Sequence, residues 1–326
     1  MNGGTPTAIE RRFVHHPVMV TEVVEHLSAV PSGVFLDATV GGGGHARALL
    51  NARPDLSLIG LDRDPSAVEA ATTALAGRAA TICRASFGHL DDVLDSLGAV
   101  SIAGSLFDLG VSSPQLDRPE RGFSYRQDGP LDMRMDCDQK LSADQVVNAW
   151  PTDELAGILR SYGDERYANR VAAAIASARP IGSTTALADV VRDAIPAPAR
   201  RRGGHPAKRA FQAIRIAVND ELNQIEPALE TAIDRMAPGG RGVVLSYHSG
   251  EDRIVKRVLR RRAGLADESR FRGLPRAATQ APPAIELAPR GSRRPSPAEV
   301  ADNPRASSAR FRAFCKLGAD QGEGAA

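Results

Sequence analysis

The chain alternates short apolar runs with helix-forming segments in its first third and again near residue 240. Apolar runs between turn signals are typical of buried strands, and apolar positions three or four apart are typical of helices. The runs that we predict as strands are residues 35–37, 58–61, 80–83, 102–108 and 242–246. Because predicted helices separate the strands, the order predicts an α/β fold with an open parallel sheet.

Between Asp117 and Pro206 the pattern changes to helices only. Ser142 is a predicted cap for a helix over 143–149, and further helices are predicted over residues 154–161, 164–178 and 186–195. Consecutive helices without a strand predict an inserted domain. We place an all-helical insert at 118–206, between sheet-domain segments 13–117 and 207–326, and a disordered N-terminus at 1–12.

The pattern of the first part of the chain resumes after Pro206. A long amphipathic helix is predicted from Pro206 to near Pro227, followed by a second helix to Met236 and then by the strand at 242–246. The Pro-rich segment that ends near Pro297 is predicted to be a mobile arm. Residues 303–312 are predicted to hold a last strand, and residues 318–326 a disordered tail.

Four consecutive glycines, residues 41–44, follow the first predicted strand and precede a helix. Glycine permits a sharp turn and a close approach to a ligand, and a helix start offers free N–H groups. The segment fits G-x-G-x-x-A, and Asp62 ends the next strand, where an acid can hold both hydroxyls of a ribose. These features predict a site for an adenosine-containing cofactor, with a flexible turn beside a surface acid as the alternative.

Polar residues also follow the fourth predicted strand. Asp108 ends this strand, and Ser112, Ser113, Pro114 and Gln115 form the turn beyond it. Because groups just past the carboxyl ends of parallel strands line one crevice, this turn is predicted to face the glycine loop. Ser and Pro are also common in turns without any function, so a plain turn is the alternative.

Phe87 follows the third predicted strand and is a candidate wall for an adenine ring. A place in the ordinary hydrophobic core is the alternative for this residue.

Overall charge predicts little about partners, because 41 basic and 39 acidic residues leave a net charge of only +2 over 326 residues. A nucleic-acid partner must therefore be bound by a local patch. Two basic segments, residues 200–209 and 253–262, are candidates, with a solvated surface as the alternative for each.

Cysteine usage and hydropathy point to the cytoplasm. The three cysteines are far apart, which predicts neither a metal site nor a disulfide and fits a reducing compartment. The chain lacks a signal-peptide pattern and a run of about eighteen apolar residues, so we expect a soluble cytoplasmic protein without a membrane partner.

Several longer motifs resemble the MraW/RsmH family of small-subunit ribosomal RNA (cytosine-N4)-methyltransferases. They are residues 16–19 (HPVM), 37–45 (DATVGGGGH), 108–117 (DLGVSSPQLD), 121–124 (RGFS), 129–136 (GPLDMRMD) and 246–253 (SYHSGEDR). Two departures are visible: Gly250 stands where the family pattern usually has leucine, and the N-terminal extension lies outside the pattern. The resemblance implies a Rossmann-like class I methyltransferase fold with an inserted all-helical domain.

The resemblance also implies S-adenosyl-L-methionine as cofactor and N4 of a cytosine in the decoding region of small-subunit ribosomal RNA as target. The expected partner is this RNA or the assembled small subunit, and no DNA is expected. The implied cofactor-contacting residues are Gly43, Gly44, His45, Asp62, Phe87, Asp108 and Gln115.

Methylation of a cytosine amine needs hydrogen-bond acceptors beside the target, because the amine lone pair is delocalised into the ring. The candidate acceptors are Asp108 and the carbonyls and side chains of Ser112, Ser113 and Gln115. We predict Asp108, Ser113 and Pro114 as the catalytic residues, with no catalytic metal. The target base must leave its stack to reach them. Phe123 and Tyr125 are candidate stacking partners, with a structural role as the alternative for both.

Two other functions remain open at this point. A NAD-dependent Rossmann oxidoreductase also fits the glycine loop and the later acid, although no hydride-transfer residues are evident. A non-catalytic RNA-binding protein of ribosome assembly would keep the same fold as a scaffold.

Overall fold

A computed structural model describes residues 17–200, 204–265 and 282–318 of the chain. The predicted disordered N-terminus, Arg201, Arg202, most of the predicted Pro-rich arm and all but the first residue of the predicted tail lie outside the described residues. One seven-stranded sheet organises the rest, with strand order β3-β2-β1-β4-β5-β7-β6.

The first five strands are parallel, β7 is antiparallel to β5, and β6 is antiparallel to β7. Their bounds are β1 Val34–Asp37, β2 Ser57–Asp62, β3 Ala80–Arg84, β4 Ile102–Asp108, β5 Met236–Ser246, β6 Ile285–Leu287 and β7 Arg310–Lys316.

Helices cover both faces of the sheet and form the insert. Those of the sheet domain are α1 Val20–Leu27, α2 Gly44–Ala52, α3 Pro65–Ala74, α4 Leu90–Ser96, α5 Ser113–Asp117, α12 Glu221–Arg235, α13 Ser249–Arg262 and α14 Pro297–Asp302. Between α5 and α12 lie α6 Ala143–Ala149, α7 Thr152–Ser161, α8 Ala168–Ser177, α9 Thr184–Ala194, α10 Ala197–Arg200 and α11 Lys208–Asn219.

Successive strand residues point into two separate cores. In β5, Val243 and Leu245 pack on the face covered by α1 and α2, while Val244 packs on the face covered by α4, α12 and α13. Leu106 and Phe107 divide between the same two faces in β4. Burial on both faces explains why these strands read as continuous apolar runs.

A third core belongs to the helical region after β4. Its buried residues run from Phe123 to Val218 and include Phe211 and Ile214 of α11. Helix α11, which we placed in the sheet domain, thus packs with the insert, so the packing differs from the predicted boundary at residues 206 and 207.

The helix predicted from Pro206 to Pro227 is wrong in its bounds. Helix α11 ends at Asn219, Asp220 adopts a left-handed backbone with φ +49°, and α12 then begins at Glu221. The buried Asn219 side chain accepts from the Met135 N–H and donates to the Met133 carbonyl, which holds the chain at this break. Pro227 lies inside α12 and does not end a helix.

Helix α6 confirms the Ser142 cap and the predicted range 143–149. Ser142 and Gln145 form a reciprocal capping box at the start of this helix.

The last strand lies further along the chain than the predicted range of residues 303–312. Residues 304–308 form a one-turn 3-10 helix, and the strand begins only at Arg310. β5 is also longer than predicted, because it starts at Met236.

Within the described ranges, no helix has the length and apolarity needed to span a membrane.

Phe314 on β7 tests the packing of the antiparallel edge of the sheet. Its ring is fully buried and lies over Gly242 of β5, where a Cβ would collide with it. We expect Phe314→Ala to lower the free energy of unfolding by about 3–5 kcal/mol, because it leaves a cavity. Urea unfolding measures this loss. Val100→Ala, at a site 78 % exposed, should stay within about 0.5 kcal/mol, and equal losses in both variants would contradict the described core.

Candidate active site

Three carboxylates end three neighbouring strands of the sheet. Asp37 ends β1, Asp62 ends β2 and Asp108 ends β4. β1 lies between the other two strands, at the point where the strand order reverses. In open α/β sheets, ligands bind in the crevice at this switch point.

The glycine loop between β1 and α2 forms one wall of this crevice. Gly41 and Gly43 have φ values of +51° and +76°, which side chains rarely adopt, and a Cβ on Gly44 would lie 2.5 Å from Cγ of Pro17. Glycine is therefore required here by backbone geometry.

Asp62 ties the glycine loop to the end of β2. Its Oδ2 accepts the Gly41 N–H at 3.0 Å, and its Oδ1 accepts the Asp64 N–H at 2.9 Å. Burial raises the pKa of Asp62 to about 6, and these N–H donors oppose the rise. Each oxygen keeps a lone pair for a ligand, so the predicted ribose contact is compatible with this geometry.

Asp37 is almost completely buried behind the loop. Burial raises its pKa to about 8, and the negative charges of Asp108 and Asp62 add to this rise. The Thr39 N–H at 3.2 Å from Oδ1 opposes it. A cationic ligand in the crevice would relieve the repulsion among the three acids.

Asp108 is held from three sides. Its N–H donates to Oγ1 of Thr39 at 2.6 Å, Oδ1 accepts the Tyr247 hydroxyl at 2.7 Å, and Oδ2 lies 3.6 Å from Nδ1 of His45. Its side chain is 17 % exposed, so the carboxylate is both fixed and reachable from the crevice.

His45 lies in the first turn of α2, where the motif placed it. Its Nε2 is 2.9 Å from the Val18 carbonyl, which can only accept, so this nitrogen carries a proton. The ring therefore packs the N-terminal segment onto the glycine loop and presents Nδ1 to Asp108.

Tyr247 is a site residue that the analysis of the sequence missed. Burial raises the pKa of its hydroxyl well above the ordinary value, and the neighbouring Asp108 adds to the rise, so it remains a neutral donor. Its N–H donates to the buried Glu251 at 2.7 Å, which joins the end of β5 to α13. Its place just after a strand was the available signal.

Residues 112–115 form the start of α5. Ser112 caps this helix in a box with Gln115, and Pro114 occupies the first turn. Gln115 accepts the Ser112 N–H at 3.0 Å and donates to Asp64 at 3.0 Å. Both ends of the Gln115 amide thus bind protein groups, while Ser113 Oγ has no hydrogen bond to any described residue.

Asp64 is a second residue that was missed. It caps α3 through the Ser66 N–H at 3.0 Å and pairs with Arg121 at 2.8 Å. Arg121 also donates to the carbonyls of Arg134 and Met135 at 3.0 and 3.2 Å. These contacts fix the entrance of the insert beside the end of β2.

Phe87 lies on a single 3-10 turn after β3, at the crevice side of that strand. Its ring packs edge-on against Phe107 at 6.2 Å, and the Arg63 guanidinium lies 5.8 Å from its centre. The ring is half-buried, so one part of it packs in the core and another part remains accessible to a ligand.

The two aromatic candidates for base stacking have other partners. Phe123 is buried, with the Arg121 guanidinium 5.8 Å from its ring centre. Tyr125 is stacked on His205 at 4.5 Å, and Arg126 lies 5.7 Å from its ring centre. Neither ring presents a free face for a target base in this arrangement.

The first basic segment is partly turned inward. Arg200 donates to the carbonyls of Ile195 and Asp193 at 2.6 and 3.1 Å, and Arg209 donates to the Asp164 carbonyl at 3.2 Å. Arg201 and Arg202 lie outside the described residues.

The residues at this crevice fit S-adenosylmethionine. The glycine turn permits close approach, Asp62 retains acceptor capacity for ribose hydroxyls, and the buried acids favour a positively charged ligand over a pyrophosphate. A Rossmann-like sheet in this strand order with this acidic crevice defines an S-adenosylmethionine-dependent methyltransferase.

Comparison with known proteins gives the family. The sequence profile of the MraW methylase family matches residues 12–317. Ribosomal RNA small subunit methyltransferase H of Thermobifida fusca (strain YX) is 52 % identical over 307 residues, covering 92 % of each chain. The protein of the same name from Acidothermus cellulolyticus (strain ATCC 43068 / DSM 8971 / 11B) is 50 % identical, covering 97 % of this chain and 98 % of its own.

The chain belongs to the MraW methylase family. It is therefore a methyltransferase, which sets aside the NAD-dependent oxidoreductase and the non-catalytic scaffold.

The raised pKa of Asp62 predicts a pH-dependent cofactor affinity. The ionised carboxylate accepts two ribose hydrogens and the protonated form loses this capacity, so affinity should fall as the pH drops below about 6. Calorimetry with S-adenosylmethionine from pH 5 to 9 measures this dependence.

The Asp62→Asn variant should bind S-adenosylmethionine at least tenfold more weakly at pH 8, since charged hydrogen bonds contribute roughly 1.5–3 kcal/mol. It should also lose the part of the pH profile that depends on Asp62. Because Asp37 also titrates, the difference between the two profiles isolates Asp62. Superimposable profiles would contradict the placement.

Proposed function

We propose that this protein methylates N4 of a cytosine in the decoding region of small-subunit ribosomal RNA. The names of its relatives support ribosomal RNA of the small subunit as substrate. The observation that carries the proposal is the Asp108 carboxylate, fixed between Tyr247 and His45 and open to the crevice.

S-adenosylmethionine supplies, when bound, a methyl group on a positively charged sulfur. Asp108 accepts a hydrogen of the cytosine amine and orients its lone pair, which is otherwise delocalised into the ring. The same carboxylate then takes the proton that N4 loses when the new bond forms. Alignment of this kind contributes of order 7–11 kcal/mol in the best cases.

Ser113 and Pro114 complete the proposed catalytic set. Ser113 Oγ has no hydrogen bond to the described residues and is available as a second acceptor beside Asp108. Pro114 in the first turn of α5 holds this hydroxyl in place, because its ring fixes the local backbone.

The other predicted cofactor contacts can be assigned to the parts of S-adenosylmethionine. We assign the methionine end to residues 43–45 and Gln115, the ribose to Asp62 and the adenine to the side of Phe87. We further propose that the enzyme acts in the cytoplasm on the RNA or on the assembled small subunit, with the target base unstacked.

Asp108 is the most direct test of this function. We expect Asp108→Asn to lower the single-turnover rate at least a hundredfold at saturating cofactor, because the amide is neither charged nor a proton acceptor. The assay measures labelled-methyl transfer to small-subunit RNA from cells that lack the gene, with mass mapping of the modified nucleotide. Asp92→Asn is the control, since this side chain is 87 % exposed and its ion-pair partner among the described residues is His89. Transfer to a different base, or an undiminished rate in Asp108→Asn, would overturn the proposal.

Tyr247 tests how Asp108 is positioned. Tyr247→Phe removes one hydrogen bond to the carboxylate and keeps the ring, so the single-turnover rate should fall roughly tenfold or more, given about 1.5–3 kcal/mol for a charged hydrogen bond. S-adenosylmethionine affinity should change less than the rate does. An unchanged rate would show that the hydroxyl has only a packing role.

A further inference from the structure

Helix α13 carries cations that form ion pairs on one face and cations without ion pairs to described residues on another. Arg257 and Arg261 pair with Glu226 of α12, and Arg261 also lies 2.6 Å from Glu230. Arg262 pairs with Glu230 and Asp234. These three arginines therefore join α13 to α12, and their charges are already compensated.

Lys256 and Arg260 lie on a different face, one helical turn apart. Both are exposed, and within the described part of the chain neither has a carboxylate within ion-pair distance. Together with Arg290 and Ser292 from the loop after β6, they line a cavity of about 200 Å³. Arg290 is likewise exposed and has no ion pair with a described residue.

A third arginine at this cavity has a structural role. Arg312 of β7 donates to Asp252 of α13 at 2.8 and 3.2 Å, and both side chains are largely buried. This pair compensates the Arg312 charge and fixes α13 on the sheet. The uncompensated cations are therefore presented from a fixed framework.

The strand register places Arg293, which follows this loop, at the level of Asp108. Asp108 pairs with Leu245 of β5, Leu245 pairs with Phe311 of β7, and Phe311 bridges Arg293, next to the cavity loop. Three strand spacings of about 4.8 Å separate Arg293 from Asp108 by a lateral distance of roughly 14 Å. A few nucleotides of an extended RNA strand span such a distance.

We propose that Lys256, Arg260 and Arg290 bind backbone phosphates of the RNA strand that flanks the target cytosine. This inference rests on the proposed function and adds a binding site outside the crevice. Cations without counter-charges beside a hydroxyl donor are suited to phosphodiester oxygens. Because the contacts touch no base, the site positions the strand without reading its sequence.

Two double variants on α13 test the site with matched changes in charge. Lys256→Ala with Arg260→Ala removes two uncompensated cations, and Arg257→Ala with Arg261→Ala removes two paired ones from the same helix. RNA affinity is measured by titration from 50 to 300 mM salt. We expect the first variant to lower the salt slope by about 1.4 units and to weaken binding about tenfold at physiological salt. The paired variant should change the slope by less than about 0.5.

Methylation kinetics separate this site from the catalytic site. For the first variant, and for Arg290→Ala, we expect a raised KM for RNA with kcat and S-adenosylmethionine affinity unchanged. Thermal unfolding verifies that these substitutions of exposed residues leave the fold intact. Methylation by the unmodified enzyme tests the proposed function independently of these variants.

Two results would overturn the proposal. Equal losses in the two double variants would show a general charge effect. A loss of binding to intact small subunits, with binding to protein-free RNA unchanged, would assign the cavity to a ribosomal protein.

Discussion

The repulsion among three carboxylates at neighbouring strand ends is the constraint on which the site depends. Asp37, Asp62 and Asp108 lie where a parallel sheet brings its carboxyl ends together, and burial with like charge raises the pKa of the first two. Unmet charges in such surroundings cost several kcal/mol. The Gly41 N–H donates to Asp62, and the Tyr247 hydroxyl donates to Asp108. These hydrogen bonds join the glycine loop, the strand ends and the segment before α13 into one unit.

The insert is held to this unit by buried polar contacts. Asp64 pairs with Arg121 at the entrance of the insert, and Asn219 at its exit bonds to the backbone of Met133 and Met135. Polar contacts of this kind demand one geometry, whereas apolar packing tolerates several. The position of the insert relative to the crevice is thus set within a few residues of the acids themselves.

Local signals were enough to predict the strands, the Ser142 cap and the acids at strand ends. These features depend on neighbours in sequence or on the general rule that parallel strands share an active edge. The break between α11 and α12 depends on contacts of Asn219 more than 80 residues away, and the Tyr247 contact with Asp108 spans 139 residues. The occupied faces of Tyr125 likewise depend on His205, which no local pattern connects to it.

Net charge conceals how the cations are distributed. The net charge of +2 counts every basic and acidic residue alike, although some arginines pair with carboxylates, as Arg257 and Arg261 do on α13. The same basic run also supplies Lys256 and Arg260, and only the helical register separates the two pairs. Helix α13 begins just after Tyr247, whose hydroxyl donates to Asp108, so one short segment connects its uncompensated cations to the crevice. Phosphate contacts made by these cations would hold the RNA strand beside the crevice, so their contribution would appear in the binding of the RNA and not in the rate of the bound complex.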